Sequence, residues 1–121
     1  MRRTYYKKLV RDRIPKRIDE HGGKYEVKKL SGHNFKKELL RKVEEEAGGL
    51  SNAKTRSEII SEMGDLLDVL KEIKKVLKIN PKELIESRTM EFRRKGGFAK
   101  KLYLIWSEDT GYKSNERKSK K

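Results

Sequence analysis

From Ile59 to Leu77 the apolar residues Ile59, Met63, Leu66, Leu70, Ile73 and Leu77 follow one another three or four positions apart. Only an α-helix brings such positions onto one side of the chain. The spacing predicts a long helix from about Ser57 to Lys78, with Leu67 widening its apolar stripe. A second set, Phe35, Leu39, Leu40, Val43 and Ala47, predicts an amphipathic helix from Phe35 to about Ala47. Asn34 is its expected N-cap, and Gly48-Gly49 its expected stop. Asn80-Pro81-Lys82-Glu83 reads as an N-cap, Pro at N1 and Glu at N3. It predicts a third helix that runs to about Lys95 and ends at Gly96-Gly97. The expected fold class is therefore all-α, a helical bundle.

The remaining segments are shorter. Pro15 either ends a segment or opens a short helix, and His21-Gly22-Gly23 reads as a turn. Lys24 to Lys28 roughly alternates, with Tyr25 and Val27 on one face, and Leu102 to Trp106 is β-prone. A short two-stranded β element is one reading of this pair; the other is that 102–106 covers the bundle. One domain over 1–111 is expected, followed by a basic, disordered tail over 112–121.

Composition narrows the classes of function. Hydrophobic residues make up only 33% of 121 positions, and charged residues 43%. A chain this short and polar has a thin core, so helices that finish burying themselves in a homo-oligomer, a dimer or tetramer, are expected. With no Cys there is neither a disulfide framework nor a thiolate metal site, and His21 and His33 alone make a zinc site of His ligands a poor expectation. No apolar run approaches a membrane span and no signal-peptide pattern opens the chain, so a cytoplasmic protein without a membrane partner is expected. The net charge is +14, from 33 basic and 19 acidic residues. Such a surface attracts polyanions, either nucleotides or nucleic acid, although solubility alone also explains it.

Against that basic background the carboxylates are grouped. Glu44, Glu45 and Glu46 close one predicted helix, and Glu62 and Asp65 follow on the next at i, i+3. Glu62 falls roughly 60° from the centre of the apolar stripe, with Asp65 further round. Two such helices side by side place hard oxygen ligands around one small volume, as Mg²⁺ needs when it is shared with phosphates. Acids early and bases late also suit the helix dipole, which is the simpler account of the long helix taken alone. Three Glu at a helix C-terminus oppose that dipole, and a cation would relieve the cost.

These residues resemble a known pattern. Glu45-Glu46, a gap, then Glu62-x-x-Asp65 is similar to the metal motif of the all-α NTP pyrophosphatases, the MazG-like superfamily. Tyr6-Lys-Lys-Leu-Val-Arg-Asp-Arg-Ile-Pro15 resembles the opening of its phosphoribosyl-ATP pyrophosphohydrolase-like branch, also described as predicted house-cleaning pyrophosphatases. Arg93-Arg-Lys-Gly-Gly-Phe98, followed by Leu102-Tyr-Leu104, resembles that branch's closing segment. The matches come in the same order and span about residues 5–106.

The resemblance implies a helical bundle completed by oligomerisation. It implies hydrolysis of a nucleoside triphosphate, including non-standard ones, to the monophosphate and pyrophosphate. Mg²⁺, with Mn²⁺ as the alternative, would sit on Glu45, Glu46, Glu62 and Asp65, and a water would be the nucleophile. Glu45 and Glu46 are the candidate catalytic carboxylates. Lys8, Arg11, Arg94, Lys95, Gly96 and Gly97 are the candidate triphosphate contacts, cations and close-approaching backbone being what phosphate needs. Arg94, Lys95 and the two Gly also read as an ordinary helix end. Tyr6, Phe98 and Trp106 could stack on a base, or pack in the core.

One position departs from the motif: the next motif Glu falls on Gly49, which leaves 12 residues before Glu62, the short end of the motif's range. Glu44 or Asp68 could substitute. Two other functions stay open, a non-enzymatic nucleic-acid-binding protein on a degenerate pyrophosphatase scaffold, and a phosphoribosyl-ATP pyrophosphohydrolase.

Overall fold

Capping side chains set where the helices of this chain begin. In the computed structural model, which describes residues 2–112, four helices follow in order: α1 (Ile14–Glu20), α2 (Gly32–Ser51), α3 (Arg56–Val76) and α4 (Pro81–Lys95). The all-α expectation holds over these residues. Pro15 sits in the first turn of α1, where a missing N–H costs nothing.

α2 is longer at both ends than its apolar pattern predicts. Its cap is Ser31, whose hydroxyl accepts from the Asn34 N–H at 3.4 Å, rather than Asn34 itself. The helix also runs through Gly48-Gly49 to Ser51. Two Gly weaken a helix by about 1 kcal/mol each relative to Ala, which is not enough to break one held by a packed neighbour. The stop comes where the Gly48 carbonyl accepts from Asn52 Nδ2 at 2.8 Å and from Ser51 Oγ at 3.0 Å.

α3 starts at a Thr55 cap that accepts from the Glu58 N–H at 3.1 Å, while Glu58 accepts from the Lys54 N–H at 3.0 Å. It ends before Lys78, which adopts φ 54°. The Asn80 start of α4 is the expected capping box: Asn80 and Glu83 each accept the other's backbone N–H, at 2.8 and 2.9 Å. α4 ends at Gly96, whose φ of 77° is the left-handed conformation that glycine adopts without strain.

The chain divides into two units, one up to Leu84 and one from Ile85. In the first, α2 and α3 pack together. Gly49 meets Glu62 beside the connecting loop, and Leu39 and Leu40 share a groove with Ile73, Val76 and Leu77 at the far end, so the two helices are antiparallel. Leu39, 6% exposed, is the one buried apolar side chain among the described residues.

The expected β element is absent: 24–28 and 102–106 lie outside any strand, and no strand occurs among the described residues. Tyr25, Val27 and Leu102 to Trp106 are all exposed. A two-stranded ribbon is marginal in water unless one face is covered, and these runs have no layer beneath them. Of the expected tail over 112–121, all but Tyr112 lies outside the described residues. No helix among the described residues is long and apolar enough to cross a membrane.

Candidate metal centre

The pairing of α2 with α3 places Glu46 opposite Glu62 and Asp65. One carboxylate oxygen of each lies within 4.8 Å of the other two, and all three residues are half-buried. Glu46 comes from the late turns of α2; Glu62 and Asp65, one turn apart, come from the early turns of α3. The cluster therefore exists only because the two helices run antiparallel through a short loop.

Gly49 completes this arrangement by having no side chain. A Cβ at position 49 would stand 2.5 Å from Glu62 Oε2 and 2.9 Å from Glu62 Cδ. The Glu62 carboxylate thus occupies the space a side chain at 49 would claim. The position faces the cluster, which is where a fourth carboxylate would have to stand.

Residues 2–13, which precede α1, hold cations against these acids. Lys8 Nζ pairs with Glu45 Oε1. Arg11 spans two turns of α3, with Nη2 at 2.9 Å from Asp65 Oδ1 and Nη1 at 2.9 Å from Asp68 Oδ2. Lys42 ties the layers together: it donates to the Leu9 carbonyl at 3.0 Å, lies 2.6 Å from Glu45 Oε2 and reaches Glu46 Oε1 at 4.0 Å.

Proton affinities follow from these partners. Lys42 first, then Lys8, hold the Glu45 carboxyl below its ordinary range. Glu46 is pushed up, chiefly by burial and then by the charge of Asp65, with Lys42 opposing. Glu45 is thus a satisfied anion, whereas Glu46 faces like charge. Lys8 is raised by its hydrogen bond to Glu45, and Arg11 by its bond to Asp68.

The donor set suits a hard divalent cation. Octahedral Mg²⁺ has ligands at roughly 2.0–2.1 Å, so its oxygens stand about 3–4 Å apart. The three oxygens, all within 4.8 Å of one another, stand close to that spacing. Three carboxylates leave room for waters and phosphate oxygens, which Mg²⁺ prefers to retain.

Of the expected ligands, Glu46, Glu62 and Asp65 converge, and Glu45 instead pairs with two lysines. Lys8 and Arg11 stand beside the cluster. Arg94, Lys95, Gly96 and Gly97 belong to the second unit, where they form an ordinary helix end. Lys95 and Arg94 lie 2.8 and 3.8 Å from Glu91, at i, i+4 and i, i+3. Glu91 is lowered by Lys95, and Lys95 is raised by Glu91. Sequence reasoning passed over Lys42, although its i, i+3 and i, i+4 spacing to Glu45 and Glu46 was a usable signal. Asp68, named only as a substitute ligand, is instead an Arg11 partner.

Set beside protein-family models, curated proteins and solved structures, the chain finds no match in any of the three.

Proposed function

We propose that this chain is a Mg²⁺-dependent nucleoside triphosphate pyrophosphatase, with Mn²⁺ as the alternative ion. The observation that carries the reading is the convergence of Glu46, Glu62 and Asp65 from two helices, bordered by the cations of residues 2–13. It agrees with the chemistry that the motif resemblance implies.

Bound at the three carboxylates, Mg²⁺ would neutralise phosphate oxygens and lower the pKa of a coordinated water. Glu46, half-buried beside Glu62 and Asp65, is the carboxylate proposed to accept the proton of that water. Glu45 acts one step back, holding Lys8 and Lys42 in place. Arg11 offers a planar fork that matches phosphate oxygens, and a cation on Asp65 competes with it for that carboxylate. Arg11 thereby becomes free to take up triphosphate charge. Water adds at phosphorus, the bond between the α- and β-phosphates breaks, and the products are a nucleoside monophosphate and pyrophosphate.

The test is pyrophosphate release from a panel of standard and modified nucleoside triphosphates, with and without Mg²⁺. Mg²⁺-dependent release is expected, and Glu62→Gln, which keeps the side-chain shape, should abolish it. Release that survives Glu62→Gln, or no release from any nucleotide, would overturn the proposal. In the second case nucleic-acid binding with steep salt dependence becomes the function to measure.

A further inference from the structure

From Phe92 to Trp106 the chain carries five cations, Arg93, Arg94, Lys95, Lys100 and Lys101, and no carboxylate. Four aromatic residues are set among them: Phe92, Phe98, Tyr103 and Trp106. All four rings are exposed, Phe98 at 98%, Tyr103 at 90% and Trp106 at 76%. Leu102, Leu104 and Ile105 are exposed beside them, so the apolar surface is a continuous run. Single exposed apolar residues need no explanation, whereas a continuous run bordered by charge marks an interaction surface.

Local structure sets the interleaving. α4 ends at the left-handed Gly96, and the Phe92 ring lies over Gly97, 3.1 Å from where a Cβ would stand. A turn follows, in which the Lys101 N–H donates to the Phe98 carbonyl at 3.1 Å. It sets Lys100 and Lys101 between Phe98 and Tyr103 along the chain. Arg94 and Lys95 pair with Glu91, whereas Arg93, Lys100 and Lys101 have no ion-pair partner among the described residues. From Leu102 to Trp106 the backbone lies in no helix or strand and makes no hydrogen bond among the described residues.

We infer that residues 92–106 form a binding site for single-stranded nucleic acid. Unpaired bases offer flat faces, and the phosphates between them offer one negative charge each. Rings interleaved with cations match that alternation, the rings stacking on bases while the cations follow the phosphates. A duplex keeps its bases stacked on one another and offers these rings no free face. Charge disfavours a second copy of the chain as the occupant, since a two-fold contact sets the same cations against themselves. The backbone disfavours an anionic membrane, because unpaired peptide groups are costly in hydrocarbon. Beside a polynucleotide they stay hydrated or donate to phosphate oxygens. An acidic peptide would satisfy the cations and leave the rings without flat partners.

The inference uses none of the carboxylate cluster and does not rest on the pyrophosphatase reading. The chain has a single Trp, so the fluorescence of Trp106 reports this segment alone. The full chain is titrated with a single-stranded oligothymidylate of about twelve nucleotides. Parallel titrations use the same strand in a duplex, polyglutamate, and vesicles of phosphatidylcholine with phosphatidylserine. Saturable quenching of Trp106 by the single strand alone is expected. Affinity should fall with salt, and replacing Lys100 and Lys101 together by Ala should flatten the log–log slope by about 1.4, roughly 0.7 for each phosphate contact. Phe98→Ala and Tyr103→Ala should each weaken binding about fivefold or more. These side chains are exposed, so the helical circular-dichroism signal should not change. Oligonucleotide binding without a Trp106 response would place the contact elsewhere and overturn the inference. An equal response to duplex, polyglutamate or vesicles would also overturn it, as would binding indifferent to Phe98 and Tyr103. Quenching without pyrophosphate release would leave this site standing and remove only the enzymatic proposal; release without quenching would do the reverse.

Discussion

α3 and α4 start with the same local chemistry and arrive at different surroundings. Each has an N-cap side chain accepting from the third residue on, with a Glu returning the bond to a backbone N–H. Yet Leu66, Val69 and Ile73 of α3 are partly covered, whereas Leu84, Ile85, Met90 and Phe92 of α4 are all exposed. The acids differ in the same way. Glu46, Glu62 and Asp65 meet across two helices, and burial disturbs Glu46. Glu91 meets Lys95 and Arg94 along one exposed helix. Capping decides that a helix forms; a packed partner decides whether its charges become a site.

The strongest way to break this comparison is to empty the packed side. Leu39→Ala should destabilise the fold by about 2–3 kcal/mol in urea unfolding, as a buried Leu truncation does. Phe92→Ala, at a position 66% exposed, should change stability by less than about 0.5 kcal/mol. Equal effects would show that the α2–α3 contact is not where stability resides.

Next comes Gly49→Glu. It sets a fourth carboxylate beside Glu62, whose flexible end must move aside. Roughly tenfold tighter Mg²⁺ binding by titration calorimetry is expected, because ligand charge sets affinity at such sites. Unchanged or weaker binding would mean that position 49 does not address the cluster.

Arg11→Ala should matter less for stability, under about 1 kcal/mol, since its pairs with Asp65 and Asp68 are largely exposed. Mg²⁺ should bind more tightly to this variant without nucleotide, because Asp65 loses a competing cation. Weaker binding would assign Arg11 a scaffolding role.

The smallest effect belongs to α4. Glu91 is lowered in the fold, so its contribution is present above its unfolded pKa and fades as pH falls through the depressed value. Lys95 is raised, so its contribution is present below its unfolded pKa and fades as pH rises through the raised one. Glu91→Gln should therefore remove a slight acid-side loss of helicity in circular dichroism and leave the α2–α3 pair unaffected.

Much of this was legible before any coordinates. Three long helices, the Asn80–Glu83 box and the shared face of Glu62 and Asp65 follow from short-range rules, because a helix places i and i+3 together whatever surrounds it. The departure at Gly49 was also visible as a residue, though not as a space filled by Glu62. Helix ends were read less well. Gly48-Gly49 looked like a stop, but packing against α3 carried α2 one turn further, to the Asn52 cap. The β-prone runs satisfied local preference and found no covering layer.

What the sequence determined by itself is periodicity: which residues are helical and which share a side. What the tertiary structure decided is partnership. It chose the face of α3's broad apolar stripe that meets α2, which left Ile60, Met63 and Leu67 exposed. It turned Glu45 toward Lys8 and Lys42, and Glu46 toward Glu62 and Asp65. Adjacent carboxylates on one helix point in directions about 100° apart, and only the register of the second helix settles which of them gains company.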